Sequence, residues 1–242
     1  MNDQIKLTIV VPAYKEEKRI HLILDAVEKY VKSKDFNIET IVVVDGSPDQ
    51  TAEVAKGYAS RIPDLHVIDR QENKGKGASV KEGVLKARGD YIIFADADNS
   101  TPIEQADELL ESITKYEVVI GSRYISGGQM ATPQPLIRRL GSRFLNIIIQ
   151  LFAVPGIRDT QCGFKMFQRD AAHRIFRHLK VNDFSFDIEL LAIARKLGYK
   201  TKEVGVVWHD NPHSTVSPFS DGWRMIRDTI AIRKRVQNIK KI

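Results

Sequence analysis

Strand-like apolar runs alternate with helical patterns over the first half of the chain. Strands are predicted at 7–11, 38–44, 65–68, 91–95 and 117–120, and helices at 16–32, 50–61, 79–87 and 102–114. Strict alternation of strand and helix is typical of a mostly parallel sheet with right-handed crossover connections. The sequence therefore predicts an α/β fold, a Rossmann-like, mostly parallel sheet flanked by helices.

The size and composition suit one domain that acts on an anionic partner. The 242 residues are 43% hydrophobic and 28% charged, enough for one large core, and nothing marks a linker. The single cysteine, Cys162, excludes an intramolecular disulfide. No signal peptide is expected, because residues 1–4 lead directly into the first strand pattern. A net charge of +6 favours a nucleotide, a nucleic acid or a membrane surface, and charge alone does not choose among them.

The fourth predicted strand, 91–95, ends in two carboxylates, Asp96 and Asp98. Ligands bind at the carboxyl edge of open α/β sheets. Carboxylates at i and i+2 project to one side of an extended segment, and hard oxygen ligands suit Mg²⁺ or Mn²⁺ carrying a substrate diphosphate. Both aspartates could instead be turn or cap residues. Residues 101–104 match a helix capping box, which favours the metal-ligand interpretation because it leaves the aspartates no structural task.

Two further polar turns follow the first and second predicted strands, at the same expected edge. Tyr14 in the first turn could stack on a base or hydrogen-bond to it, and Asp45 in the second could accept from a base N–H. Their structural alternatives, a packed surface ring and an Asx turn, stay open. The turn 73–77, Asn-Lys-Gly-Lys-Gly, lacks the Walker and dinucleotide-binding spacings. It suits either a phosphate at a helix start or a flexible solvated turn.

Together these turns resemble the family-2 glycosyltransferases, which have the GT-A fold. The resemblance is carried by 8–16 (Thr-Ile-Val-Val-Pro-Ala-Tyr-Lys-Glu), 43–47 (Val-Val-Asp-Gly-Ser), 73–75 (Asn-Lys-Gly) and 96–98 (Asp-Ala-Asp). It implies a nucleotide-sugar donor and a divalent metal, Mg²⁺ or Mn²⁺, held by the two aspartates. The donor-binding residues that it implies are Pro12, Ala13, Tyr14, Glu16, Asp45, Lys74, Gly75, Asp96, Ala97 and Asp98.

Motifs of the second half resemble the polyprenyl-phosphate (dolichyl-phosphate type) sugar transferases of that family. They lie at 121–124, 138–143, 159–165 and 186–190, and the run 159–165 is most similar to the branch that makes dolichyl-phosphate glucose. The implied acceptor-phosphate contacts are Arg123, Arg138, Ser142 and His209, and the implied sugar or acceptor contacts are Asp159, Gln161, Lys165 and Asp187. The chain departs from the family at 212–216, which lacks the glycine and lysine of the usual Gly-X-Ser-Lys-Leu. Many members of the family have an arginine at a position that corresponds to about His209 in this chain.

The resemblance implies a hexosyltransferase that moves glucose from UDP-glucose to a polyprenyl or dolichyl phosphate, inverting the anomeric carbon. One domain, 1–242, would consist of a nucleotide-sugar half, 1–121, and an acceptor and membrane-interface half, 122–242. The alternatives are GDP-mannose as donor, a saccharide hydroxyl as acceptor, or a non-catalytic basic protein that binds membrane or nucleic acid. The preferred interpretation involves no nucleic acid.

Two helical patterns indicate a membrane surface independently of the resemblance. Segment 136–154 carries a broad apolar stripe with Arg138, Arg139 and Arg143 at its beginning, as expected of an amphipathic interface helix. A core helix with a charged first turn is the alternative. The basic last helix, 223–242, could touch an anionic surface or be a solvated tail. A peripheral position on the cytoplasmic face of a membrane is therefore expected, and a separate membrane subunit is possible.

An acceptor phosphate needs charge neutralisation rather than a general base. Its second pKa is about 6, so it is largely dianionic at neutral pH. Arg123 and Arg138 are expected to neutralise it, with Ser142 as a hydrogen-bond donor. Asp187 precedes the predicted helix 188–196, where a stabilising role at the helix N-terminus is equally open. The predicted catalytic set is Asp96, Asp98, Arg123 and Arg138.

Overall fold

The computed structural model describes residues 4–131, 149–150, 152–209 and 218–240, without the side chains of 218–225. Its strands are β1 (Ile5–Ala13), β2 (Asn37–Val44), β3 (Leu65–Asp69), β4 (Tyr91–Ala95), β5 (Val118–Ser122), β6 (Gln129–Met130), β7 (Phe164–Gln168), β8 (Thr201–Gly205) and β9 (Val207–Trp208). Its helices are α1 (Ile20–Lys32), α2 (Thr51–Lys56), α3 (Lys76–Lys86), α4 (Ala106–Ile113), α5 (Arg169–His178), α6 (Phe186–Leu197) and α7 (Pro218–Gln237). Most of the predicted interface helix, 136–154, lies outside the described residues.

Seven strands form one mixed sheet in the order β3-β2-β1-β4-β7-β5-β8. Strand β1 pairs in parallel with β2 and β4, β2 with β3, and β5 with β8. Strand β7 is antiparallel to both of its neighbours, β4 and β5. The carboxyl ends of the parallel strands and the beginning of β7 therefore lie at one edge, which we call the carboxyl edge. Both halves of the chain, 1–121 and 122–242, supply strands to this sheet.

Alternating side chains of the central strands fill two apolar layers, one on each face of the sheet. Leu7, Ile9 and Val11 of β1 pack with α1, α2 and α4, whereas Val10 packs with α3, α5, α6 and α7. All four side chains are fully buried. Burial on both faces is the reason that these strands read as continuous apolar runs in the sequence.

The predicted α/β fold class is confirmed, and strand 91–95 has the predicted bounds. Strand β1 continues through Pro12 to Ala13, although the sequence predicts that it stops before the proline. Strand β4 accompanies β1 only as far as Val10, so a proline beyond that residue interrupts no ladder on that side.

No strand is predicted from the sequence at 164–168, yet β7 lies inside the sheet. A lysine, Lys165, interrupts its apolar pattern, and that pattern is the main signal for a strand. Aromatic contacts hold β7 in place: the Phe167 ring centroid lies 6.2 Å from that of Phe94 and 5.5 Å from that of Phe176.

Helix α6 is buried along almost its whole length and includes two carboxylates, Asp187 and Glu189. Helix α7 packs against it and supplies partners. Arg235 donates to Glu189 Oε1 at 2.5 Å, and Ser185, just before α6, donates to Asp228 Oδ2 at 2.9 Å. Because a buried carboxylate needs such partners, α7 is part of the fold rather than an appended tail. Each helix in the described part of the chain is too short or too polar to cross a membrane.

Candidate active site

Loops at the carboxyl edge bring together residues that the sequence places far apart. The loops after β1 and β2 interlock, since the Lys15 N–H donates to Ser47 Oγ at 2.7 Å and the Glu16 N–H donates to Thr51 Oγ1 at 2.9 Å. The strand end carries Pro12 and Ala13, and the Ala13 carbonyl accepts the Asp45 N–H at 2.9 Å. The ring of Tyr14 is 42% exposed at this edge.

Asp96 and Asp98 flank the buried Ala97 at the carboxyl edge. Asp96 Oδ1 lies 2.6 Å from Lys76 Nζ, and the charges of both aspartates act on Lys76 and on Glu16. Burial raises the pKa of Glu16, and the two aspartates raise it further against the opposing effect of a hydrogen-bonded arginine. The carboxylates of Asp96, Asp98 and Asp187 all act on the Lys76 ammonium, so this site favours cations.

The turn after Asp98 does not form the predicted capping box. Asp98 Oδ1 accepts the Ser100 N–H at 3.0 Å and the Ser100 hydroxyl at 2.7 Å, while Asn99 Oδ1 accepts the Ile103 N–H at 3.2 Å. The residues that follow, Ile103–Gln105, form a 3₁₀ turn without a side-chain cap. Asp98 therefore shapes its own turn, and the prediction that it has no structural task is wrong. Its Oδ2 has no hydrogen-bond partner within the described ranges.

Lys76, the first residue of α3, is the central cation of the site and is absent from the predicted site residues. Burial alone would lower the pKa of Lys76, but Asp96, Asp187 and Asp98 raise it above the ordinary value, so the ammonium stays charged. The predicted residue, Lys74, has an exposed side chain. The Lys-Gly-Lys-Gly sequence at 74–77 could have indicated Lys76 as a site residue. The predicted helix, however, begins at 79, three residues after the first residue of α3.

Tight packing fixes the backbone around Lys76. A Cβ on Gly75, whose φ is +96°, would lie 2.3 Å from the Asn182 carbonyl oxygen, and a Cβ on Gly77 would lie 2.6 Å from Phe186 Cβ. Glycine is required at both positions because the segment before α6 packs directly on the start of α3. Contact with the start of α6 therefore fixes the position of the Lys76 backbone.

Asp45 stabilises the turn that precedes Lys76. Its carboxylate is buried and accepts the Lys74 N–H at 3.0 Å, the Gly75 N–H at 2.7 Å and an Arg70 N–H at 2.8 Å. Asp45 therefore holds the 73–75 turn in place through hydrogen bonds to a neighbouring loop. Its contact with a base stays a prediction.

Arg123 and Asp159 form a buried ion pair at the end of β5. Arg123 donates to Asp159 from its backbone N–H at 2.9 Å, from Nε at 2.8 Å and from Nη2 at 2.9 Å. Burial alone would raise the pKa of Asp159, but Arg123 lowers it below the ordinary value. The guanidinium also lies 5.2 Å from the Trp208 ring and 5.3 Å from the Tyr124 ring. Asp159 thus orients the arginine that was predicted to meet an acceptor phosphate.

Lys165 and Asp187 form a second buried ion pair, behind the aspartates. Lys165 is fully buried, and its Nζ donates to Asp187 Oδ1 at 2.5 Å and to the Cys162 carbonyl at 2.5 Å. Burial raises the pKa of Asp187 above its ordinary value, against the opposing charges of Lys165 and Lys76. A chain of alternating charges therefore runs from Lys165 through Asp187 and Lys76 to Asp96.

Residues 161–163 pass directly behind Asp96. A Cβ on Gly163 would lie 2.1 Å from Asp96 Oδ2, so glycine leaves the room in which this carboxylate lies. Gln161 Nε2 is buried, and none of the residues described here accepts a hydrogen bond from it. Burial and Asp159 raise the pKa of the Cys162 thiol to about 12, so this cysteine is a packed side chain rather than a nucleophile.

The remaining predicted residues divide between the carboxyl edge and the undescribed part of the chain. His209 is exposed and donates its backbone N–H to the Ser100 carbonyl at 2.8 Å, which places it beside the aspartate turn. Arg138, Ser142 and the departing motif 212–216 lie outside the described residues.

A different acidic group lies at the opposite edge of the sheet. Its ligand atoms belong to Glu39, Asp64 and His66. Arg88 donates to Glu39 Oε1 at 2.6 Å and to both oxygens of Asp64 at 2.9 Å. The Arg88 guanidinium neutralises both carboxylates of this cluster, whereas Asp98 Oδ2 at the carboxyl edge has no hydrogen-bond partner within the described ranges.

A match to a family model decides the classification. The model for glycosyl transferase family 2 matches residues 8–176, more than half of the chain. The chain belongs to this family. The matched region includes all four motifs of the first half and the 159–165 run.

Relatives of this glycosyltransferase share one description. A dolichyl-phosphate β-glucosyltransferase of Dictyostelium discoideum is 35% identical over 246 residues, 96% of this chain and 75% of that protein. One from Trichomonas vaginalis is 40% identical over 219 residues, 86% of this chain and 65% of that protein. The one from Homo sapiens is 34% identical over 244 residues, 95% of this chain and 75% of that protein. The chain thus spans about two thirds to three quarters of their lengths.

Solved structures confirm the GT-A fold. Glucosyl-3-phosphoglycerate synthase from Mycobacterium tuberculosis, in complex with Mn²⁺, UDP and glucosyl-3-phosphoglycerate, superposes with a TM-score of 0.68 at 20% identity, covering 98% of this chain and 81% of that one. Mannosyl-3-phosphoglycerate synthase from Rubrobacter xylanophilus gives 0.70 at 15% identity, covering 98% and 77%. At these identities the likeness concerns the fold alone.

Gly163→Ala is expected to reduce transferase activity about 100-fold while changing the melting temperature by no more than a few degrees. The added Cβ would lie 2.1 Å from Asp96 Oδ2, and the carboxylate can turn away without disturbing the backbone. Activity and thermal unfolding would be measured on the same preparation. Gly156→Ala is no substitute control because its φ is +92°. Gly57→Ala, at the exposed end of α2 with φ −61°, serves instead, because its added Cβ would lie no closer than 3.2 Å to another atom. Full activity in Gly163→Ala would show that the position of Asp96 is not critical.

Proposed function

We propose that this glycosyltransferase transfers glucose from UDP-glucose to a polyprenyl or dolichyl phosphate. The observation that carries the proposal is the pair of aspartates at the carboxyl edge, with Lys76 Nζ at 2.6 Å from Asp96. Such a site suits a metal-bound diphosphate. Relatives 34–40% identical that are named dolichyl-phosphate β-glucosyltransferases support the choice of sugar and acceptor.

The aspartates fit a divalent cation. Both offer hard carboxylate oxygens, and Asp98 Oδ2 is not used by the turn that its other oxygen shapes. A cationic group already lies against Asp96, so the site accepts positive charge. We assign Mg²⁺ or Mn²⁺ to Asp96 and Asp98, and the Mn²⁺ of the Mycobacterium tuberculosis complex supports this assignment. When bound, the ion stabilises the negative charge of the departing nucleoside diphosphate.

The acceptor phosphate is itself the nucleophile. One of its oxygens forms a bond to the anomeric carbon, and the bond from that carbon to the diphosphate breaks, so that UDP leaves with the electron pair. The phosphate is already largely dianionic at neutral pH, and no side chain has to remove a proton. In-line attack in one step inverts the anomeric centre, so an α-linked donor gives a β-linked lipid phosphate.

The residues of this chain bind and orient the two anions. Lys76 and Arg123 supply positive charge at the carboxyl edge, and the bond to Asp159 fixes the direction of the Arg123 guanidinium. Gln161 Nε2 offers a hydrogen-bond donor to the sugar. The other assignments rest on the sequence: Pro12, Ala13, Tyr14, Glu16, Asp45, Lys74, Gly75 and Ala97 at the donor, Arg138, Ser142 and His209 at the acceptor phosphate, and Asp159, Lys165 and Asp187 near the sugar or acceptor.

A lipid acceptor requires contact with a membrane surface. The C-terminal ends of α6 and α7 form a groove with the segment before β7, lined by Phe152 together with Arg195, Lys196 and Arg233. Because α6 ends just before the start of β8, this groove lies away from the carboxyl edge and is proposed as a membrane-resting surface rather than as the acceptor site. Phe152 is 48% exposed, and an exposed aromatic ring among cations suits an interface of anionic lipids. Peripheral binding, the cytoplasmic face and a separate membrane subunit are further parts of the proposal.

The test is a transfer assay with the full chain. Labelled UDP-glucose or GDP-mannose is incubated with Mn²⁺ and vesicles that contain polyprenyl phosphate, and the lipid extract is counted. We expect label from UDP-glucose in the lipid, as a β-linked glucosyl phosphate, with faster transfer on anionic than on neutral vesicles. Vesicles with unphosphorylated polyprenol are the control. Label that stays out of the lipid for every donor would overturn the proposal, and transfer only from GDP-mannose would overturn the choice of sugar.

A further inference from the structure

Lys76 and a metal ion on Asp96 would share one carboxylate. A Cβ on Gly163 would lie 2.1 Å from Oδ2 and 2.5 Å from Oδ1 of Asp96, so both oxygens lie close to Gly163, and neither leaves room for a second, independent cation site on this side chain. Lys76 Nζ lies 2.6 Å from Oδ1 and shields it from solvent. A divalent cation and an ammonium on the same carboxylate would repel each other strongly at such short distances.

The Lys76 side chain can move although its backbone cannot. The flanking glycines, Gly75 and Gly77, are packed against the start of α6. The contact with Asp96 is an ion pair, and the lysine side chain is 23% exposed. Its Nζ lies 6.0 Å from the ring of Phe184, over which a flexible four-carbon chain can turn.

We infer that Lys76 is a movable counter-ion, which neutralises Asp96 when the donor is absent and turns to the donor diphosphate when metal and nucleotide bind. This inference rests on the proposed function, since it requires a metal-bound diphosphate at the carboxyl edge. In the free enzyme the Lys76 ammonium reduces the repulsion among the carboxylates of Asp96, Asp98 and Asp187. In the loaded enzyme it would donate a charge-assisted hydrogen bond to a phosphate oxygen.

The two roles of Lys76 predict opposite effects of one substitution. Without the ammonium, Mn²⁺ alone has no competitor for Asp96 and binds more tightly. The nucleotide sugar, in contrast, loses a cationic partner and binds more weakly. A lysine with a merely structural role would weaken both binding steps or neither, so the signs of the two changes distinguish the models.

The experiment measures two affinities on the full chain. Mn²⁺ alone is titrated and the free ion is followed by electron paramagnetic resonance; UDP-glucose is then titrated at saturating Mn²⁺ by calorimetry. We expect Lys76→Met to bind Mn²⁺ alone about tenfold more tightly, and UDP-glucose about tenfold more weakly, than the unsubstituted protein. Lys76→Arg keeps the charge and should stay near the unsubstituted values. Lys86→Met removes an equal charge from the exposed end of α3 and should change neither affinity.

Each outcome bears on one proposal. Lys76→Met should fold because Asp187 keeps its partner Lys165, and Lys76→Gln is a second neutral variant with the same expected signs. Mn²⁺ binding that is unchanged or weaker in both neutral variants, in a protein that binds UDP-glucose and transfers glucose, overturns the movable counter-ion and leaves the proposed function intact. An unsubstituted protein that binds neither Mn²⁺ nor UDP-glucose overturns the proposed function itself.

Discussion

Transfer of glucose is expected to fall at least about 1,000-fold when Asp98 is replaced by asparagine, which corresponds to about 4 kcal/mol of lost transition-state stabilisation. Asparagine keeps an oxygen that can accept the Ser100 N–H and hydroxyl bonds, at 3.0 and 2.7 Å, and removes only the charge. The change therefore separates the metal role of Asp98 from its role in the turn. The measurement is the initial rate of labelled glucose transfer at saturating Mn²⁺.

Asp98→Ala tests the turn as well, because it leaves the Ser100 N–H and hydroxyl without their acceptor. We expect it to be as inactive as Asp98→Asn and slightly less stable, by about 1 kcal/mol. Asp170→Asn, in the first turn of α5 and remote from the carboxyl edge, is the matched charge control and should keep full activity. An active Asp98→Asn variant would mean that this carboxylate is a turn residue alone, and the proposed metal site would have to be abandoned.

Removal of one partner of the Lys165–Asp187 pair is expected to destabilise the protein by about 3 kcal/mol. Both side chains are buried, with Nζ and Oδ1 2.5 Å apart, so Lys165→Met leaves an uncompensated carboxylate beneath the active site. Lys76 supplies some compensation, since its charge also acts on Asp187. Urea unfolding measures the free energy of unfolding of each variant, and the m-values of the variants are compared.

The double variant Lys165→Met/Asp187→Leu is the informative comparison. With both charges removed no buried ion is left unpaired, and most of the lost stability is expected to return. Activity should not return with it, because Asp187 also acts on Lys76 and thereby on Asp96. A double variant as unstable as Lys165→Met would indicate that packing around Phe94, whose ring lies 5.5 Å from Lys165 Nζ, matters more than charge.

Residues close in sequence were the ones whose placement could be predicted. The strand 91–95, the aspartates that follow it and the turns after β1 and β2 all lie at one edge, because parallel strands end on the same side of a sheet. The capping-box prediction failed for a local reason: Asn99 adopts φ +52° and caps the next turn itself, and several side-chain acceptors compete for the same backbone donors.

Contacts between distant segments could not be predicted. Strand β7 lies antiparallel between β4 and β5, and only this insertion brings Gly163 against Asp96 and Lys165 beneath it. The pairing of Arg123 with Asp159 likewise depends on where β5 ends relative to the loop before β7. No periodic pattern in the sequence predicts such contacts between distant segments.

The sequence by itself determined the α/β class, the carboxyl edge and the aspartate pair, since alternating apolar runs specify strands and helices and the strand ends carry the polar turns. The tertiary structure alone decided that Lys76 rather than Lys74 faces Asp96, and that Asp159 and Asp187 are partners of buried cations. The physical reason is that local patterns follow from backbone periodicity, whereas the partner of a buried charge is set by which segments pack together in a medium of low dielectric constant.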